Sequence, residues 1–243
     1  MATQGKSGKS NGYSLWRIFR TIGLILILGV SMSACATSTF TWKEEVQLHD
    51  GKKMIVDRSD TYDSSMRHEI GQGAQLAEHK TTFTIPGTKQ TVIWKSDNRS
   101  FLDPDDFHLL ALDFLDGVPY VATTTFGQIA YTKWGRPNPP YVFFKYDGKA
   151  WQRISLEEFP EIFKINLIVT GLKKDNPKIA EADRKFGFVP AQIVEKINSE
   201  PGKSKEYYSI IRTPLDYGPP RPEYNGPKAP HPIPPQNTTD GKK

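Results

Sequence analysis

The side chains able to do chemistry in this chain are few and scattered. The five histidines, His49, His68, His79, His108 and His231, include no pair at the spacing that sets two imidazoles on one helix face for a metal. His68-Glu69 is followed by no second histidine, so each of the five reads as a surface or turn residue. Asp103-Pro104-Asp105-Asp106 is the one acidic cluster, and carboxylates so close together can take a hard cation such as calcium. The rest of an EF-type loop is missing, which leaves a turn with exposed carboxylates ahead of a strand. No Gly-x-Ser-x-Gly elbow nominates a nucleophile. Gly5-Lys6-Ser7-Gly8-Lys9-Ser10 has the look of a phosphate loop, but the glycine such a loop needs at position 3 is Thr3, and no strand precedes it. The sequence therefore nominates no catalytic residue, no metal site and no cofactor.

Two further groups carry weaker signals. Trp42, Trp94, Trp134 and Trp151, with Phe143 and Phe144, could line a sugar-stacking groove, but strands turn alternate aromatics inward and core is the expected fate. Gly135-Arg136-Pro137-Asn138-Pro139, beside Trp134, is where the site of a hydrolase or carbohydrate binder would have to assemble. Such a loop more often only connects strands.

The elements that must position these residues are mostly strands. Four hairpins are marked by their turns. Residues 44–48 and 53–57 flank Asp50-Gly51, and residues 82–85 and 91–94 flank Pro86-Gly87. Residues 109–115 and 118–123 flank Asp116-Gly117, and residues 141–146 and 150–154 flank Asp147-Gly148. The expected fold is mainly β, an antiparallel meander forming a sandwich or open barrel over residues 44–213. The last of these hairpins resembles the outer hairpin of a β-propeller blade, yet no second copy of the unit exists.

A small helical annex is predicted near 155–200. Ser155-Leu156-Glu157-Glu158 fits a capping box that Pro160 cuts to about a turn. Asn176-Pro177 opens a helix to about Lys185, and Pro190 opens another with Ile193, Val194 and Ile197 on one face. Ile165 to Thr170 reads as a buried strand, and Tyr207 to Ile211 as a last one.

Composition narrows the partners. The formal charge is +5, but Lys6, Lys9, Arg17 and Arg20 lie in the first 34 residues with no acid among them, so the body is nearly neutral. That argues against a nucleic-acid partner. Those cations precede the apolar run Ile22 to Val30 and the small residues Ser31, Ser33 and Ala34, the layout of a secretion signal. The run is too short for a permanent span, which takes ~20 residues.

Met32-Ser33-Ala34-Cys35 resembles the lipobox of bacterial lipoproteins, with Met32 where Leu is usual. The resemblance covers only the signal region. It implies cleavage after residue 34, a diacylglyceryl group on the Cys35 thiol and a further acyl chain on its freed amine. Two or more chains make membrane anchoring stable, whereas one is marginal. Ala36 in place of Asp resembles the outer-membrane sorting pattern, so the domain is expected to face the periplasm. Cys35 is the only cysteine, so no disulfide staples the body even in an oxidising compartment.

Residues 1–34 thus read as signal peptide, 35–43 as an acylated linker and 214–243 as a tail. The tail holds prolines at 214, 219, 220, 222, 227, 230, 232, 234 and 235, a composition that favours extended, solvated, disordered chain. Tyr217 and Tyr224 are its candidate anchors for a groove on another protein. The function expected from the sequence is a membrane-anchored envelope lipoprotein acting as a binding or structural module, with an envelope protein as partner through residues 214–243. A lipid-anchored hydrolase or carbohydrate-binding protein is the alternative.

Overall fold

The computed structural model describes residues 37–66, 73–100, 103–169, 176–201 and 204–216. Cys35 and the whole signal region lie outside the described residues, as do His68, His231, Tyr217, Tyr224 and the tail beyond residue 216.

Eight strands follow the turn signals: β1 (Thr37–Gln47), β2 (Lys53–Asp63), β3 (Gln75–Thr84), β4 (Thr91–Asp97), β5 (Phe107–Leu115), β6 (Val118–Thr125), β7 (Val142–Tyr146) and β8 (Trp151–Ile154). They form two four-stranded antiparallel meanders, β1-β2-β3-β4 and β5-β6-β7-β8. The fold is mainly β. At the tightest hairpin Leu115 pairs Val118 directly, and Asp116 and Gly117 both take positive φ, 52° and 76°, which matches the right-handed twist of the strands they join.

The two sheets pack face to face as a sandwich. Period-two alternation sends Val46, Val56, Phe83, Val92 and Trp94 of the first sheet inward against Phe107, Leu112, Val121, Phe144 and Trp151 of the second. Trp94 sits at the centre, with ring centroids 4.6 Å from Phe144 and 5.1 Å from Trp151. The Trp151 indole N–H donates to the Ile93 carbonyl at 2.9 Å, a hydrogen bond from sheet to sheet. All four tryptophans and both phenylalanines singled out above are buried, as core residues.

The second sheet is buried on its other face too. Leu110, Ala111, Tyr120, Tyr141 and Phe143 pack there against Phe159, Phe163 and Val169. The annex consists of α2 (Pro177–Phe186) and α3 (Ala191–Asn198), preceded in the chain by the short α1 (Gln128–Lys133) between β6 and β7. Asn176 caps α2 through its side chain, and Gly187 closes it in the left-handed conformation. Ile179, Ala182, Val194 and Ile197 cover Trp42.

Three readings from the sequence are corrected. Residues 37–43 are the first half of β1 rather than a linker, and Trp42 within them is buried. Residues 167–169 are buried and 165–166 half-buried, but they form no strand: the Asn166 and Leu167 N–H groups both donate to the one Leu110 carbonyl, and the Asn166 side chain makes the next contacts. Its amide donates to the Leu112 carbonyl at 2.9 Å and accepts the Leu112 N–H at 3.0 Å, so the segment crosses β5 instead of running beside it. Tyr207 to Ile211 is no strand either. A 3-10 turn over Lys205–Tyr207 leads into irregular chain held by the Tyr141 hydroxyl, which accepts the Ile211 N–H. The capping box at Ser155 forms reciprocally with Glu158, around a single turn.

Candidate functional site

The topology puts all four hairpin turns at one end of the sandwich. The opposite end is built from the longer connections after β2, β4 and β6. Toward that end the inner face of the first sheet changes character. Beyond Val46, Val56 and Phe83, the same alternation places Glu44, Arg58, Asp60, His79 and Ser96 inward, and all five are buried. Buried polar groups on this scale need internal partners.

Glu44 and Arg58 partner each other. Arg58 Nη1 lies 3.1 Å from Glu44 Oε2, which also accepts the Ile168 N–H, and the guanidinium stands over the Trp42 ring at 5.2 Å. Asp60 and His79 are direct cross-strand neighbours, and so are His79 and Ser96. The three lie in one row across β2, β3 and β4. Asp60 Oδ1 is 2.6 Å from His79 Nδ1, an arrangement that fixes the Nδ1–H tautomer and leaves Nε2 as an acceptor. His79 Nε2 is buried and has no hydrogen-bond partner among the described residues, and the same holds for Asp60 Oδ2.

An Asp, His, Ser row invites a nucleophile reading, which the hydroxyl's bonds exclude. Ser96 is fully buried. Its Oγ accepts the Phe107 N–H at 2.8 Å and donates to Asn98 Oδ1 at 3.2 Å. Asn98 in turn accepts the Asp106 N–H and donates to Asp106 Oδ1. Ser96 and Asn98 thus fix the crossover between the sheets and place the Asp106 carboxyl beside the row.

A cleft of about 610 Å³ opens here, within the size range of small-molecule sites. His79, Asp106 and His108 line it along with Tyr62, Leu76 and Ile129. Phe126, 63% exposed, stands at its wall, stacked on His108 at 5.2 Å with the rings 7° from parallel. The His108 ring meets His79 edge-on at 5.4 Å. Burial lowers the His108 pKa from 6.5 to about 4, with the nearby Arg58 charge acting the same way, so the ring is neutral at ordinary pH. Burial raises Asp106 from 3.8 to about 6.

Both shifts bear on stability, with opposite signs. Folding takes up a proton at Asp106 between pH 4 and 6, so its contribution falls as pH rises through that window. Folding releases one at His108, so its contribution falls as pH drops from 6.5 to 4. Asp106→Asn removes the first slope alone. Relative to wild type, the variant is expected to gain stability between pH 4 and 6.5, read as urea midpoints across the window. A difference that stays constant with pH refutes the assignment.

The other candidates from the sequence have structural work. His49 sits in the β1–β2 turn as expected, but its ring and its backbone N–H both bond Asp113, at 2.8 Å each, which ties that turn to β5. It borders a more polar hollow of about 560 Å³. In the acidic cluster, Lys133 Nζ reaches Asp105 Oδ1 at 2.9 Å and Asp103 Oδ1 at 3.1 Å, so an ammonium occupies the place a cation would take. Asp106 departs from the exposed turn expected for it, since its carboxyl turns into the cleft. The expectation of surface or turn positions fails for His79, which is 7% exposed. In the loop after Trp134, Asn138 accepts the Leu215 N–H at 2.7 Å and donates to the Leu215 carbonyl at 2.9 Å, and so holds the root of the C-terminal segment.

Among the described residues no three His, Cys, Asp or Glu side chains converge as a metal requires, and no helix is long and apolar enough to cross a membrane. Comparison with protein-family models, with curated proteins and with solved structures finds no match for this chain.

Proposed function

We propose that this chain is a lipid-anchored binding protein of the bacterial cell envelope, acylated at Cys35, with its β sandwich facing the periplasm from the outer membrane. The anchor rests on the signal layout and the lipobox-like Met32-Ser33-Ala34-Cys35. The binding role rests on one observation: the cleft at the strand ends is walled by a buried imidazole whose Nε2 has no partner among the described residues. A buried acceptor left unsatisfied costs about 1–3 kcal/mol, a cost that a ligand with a hydrogen to donate would remove.

Catalysis draws less support. The only serine in the Asp60 row is used on both sides, and Asn138 in the loop at 135–139 holds the chain itself. The proline-rich residues 214–243 are the second contact surface in this reading, directed at an envelope protein, and the Asn138 clamp on Leu215 fixes where that segment leaves the domain.

The anchor is tested by labelling cells with radioactive palmitate and separating membranes. The wild-type chain is expected to take up label and sediment with membranes, and Cys35→Ala to lose both. Label retained by Cys35→Ala sinks the reading. For the tail, in-cell crosslinking of the lipidated protein is expected to capture an envelope partner that is lost when residues 217–243 are removed. An unchanged capture assigns the contact to the domain instead.

A further inference from the structure

The cleft lies at a particular end of the sandwich. Thr37, the first residue of β1, pairs with Asp63, and Ser38 pairs with Tyr62, a residue of the cleft wall. Cys35 precedes Thr37 by two residues, a reach of roughly 7 Å of extended chain. If Cys35 is acylated, the strand end bearing the cleft is the end held at the lipid surface. The lining fits that neighbourhood: Met66, Leu76, Pro104, Ile129 and Ala130 are apolar, and Phe126 presents an exposed ring.

The polar groups of the cleft select the head of a ligand. With Nδ1–H directed at Asp60, His79 offers an acceptor. Asp106 adds a carboxylate, and Asp60 stands behind His79 with a second oxygen unpartnered. Among the described residues the one Lys or Arg in the lining, Arg99, is paired with Glu78 and Asp97. An anionic head would meet acceptors and negative charge, whereas a hydroxyl or amine would supply the missing hydrogen.

We propose, resting on the anchored-binding reading above, that the cleft takes the apolar chain of a membrane amphiphile whose head donates an O–H or N–H to His79 Nε2. Phe126, exposed at the edge of the cleft, would meet that chain as it enters.

The test uses the full mature, lipidated protein in vesicles of phosphatidylethanolamine and phosphatidylglycerol. Three photoactivatable probes share one alkyl chain and differ in the head: a primary amine, an alcohol and a carboxylic acid. Amine and alcohol are expected to crosslink to Tyr62, Leu76, Phe126 and Ile129, mapped by mass spectrometry, with the acid about tenfold weaker. His79→Phe is expected to lower amine and alcohol labelling about tenfold, and Leu76→Trp, which fills the cleft from the wall, to abolish it. The second variant decides the matter if the first does not fold. Equal labelling by the acid overturns the head assignment. Labelling that avoids these residues, or survives both substitutions, overturns the cleft as the site. Palmitate on Cys35 is measured in the same preparation, so an unacylated cysteine overturns the anchor independently of where the probes react.

Discussion

Glu44→Ala is expected to destabilise the domain by about 3–5 kcal/mol, the cost of leaving one member of a buried ion pair without the other. Glu44 is fully enclosed, and its carboxylate accepts from the Trp42 indole, from Arg58 and from the Ile168 N–H. Truncation therefore strands a guanidinium that is itself buried, along with an amide and an indole donor. The pair also joins three parts of the fold: β1, β2 and the segment that leads to the annex. The double replacement Glu44→Met, Arg58→Met is expected to recover most of the loss, because desolvating two charges offsets much of their attraction and apolar side chains of similar volume avoid it. Urea unfolding of Glu44→Ala and of the double variant reads this directly. A loss under ~1 kcal/mol for Glu44→Ala would mean that water reaches Arg58 and that the polar half of the sheet is wetter than its geometry implies.

The hairpins were legible in the sequence because a tight turn is a local event. Asp-Gly or Pro-Gly between two alternating runs specifies both pairing and register, and each of the four predicted hairpins exists. The division into two sheets was less so, since nothing near residues 98–106 states that β5 leaves the sheet of β4. Residues 165–169 carry the apolar run of a strand, but burial there comes from the chain crossing β5, where two N–H groups share the Leu110 carbonyl and the Asn166 amide bonds Leu112 in place of a ladder. The helix α1 has six residues and no capping side chain at Gly127, so no start signal announced it.

The site was hidden for a different reason, although part of its signal lay in plain view. In β3, Ala77, His79, Thr81 and Phe83 alternate, and the period that places Phe83 in the core places His79 on the same face. In β2, Val56, Arg58 and Asp60 share a face by the same rule. Extending both strands past their apolar residues brings Asp60 and His79 inward. What the alternation could not provide was the register of β2 on β3, which makes the two direct neighbours, and the bulge beyond Thr61 that follows. Histidines read one at a time, as candidates for metal or helix spacing, conceal a pair made by two strands.

Trp94 is where the two halves of the fold are held together, and its replacement carries the second large effect. The indole meets Phe107, Phe144 and Trp151 of the opposite sheet, and it is 1% exposed. Trp94→Ala is expected to cost about 3–5 kcal/mol, because the lost contacts leave a cavity between two sheets whose strands cannot close over it. Trp94→Phe is expected to cost much less, about 1–2 kcal/mol. The smaller ring also creates a void, but it removes a buried indole N–H that has no hydrogen-bond partner among the described residues, so one penalty offsets another. Denaturant midpoints of the two variants separate volume from polarity. Equal losses for Ala and Phe would mean that the indole nitrogen contributes favourably and that Trp94 is held by polarity as well as by packing.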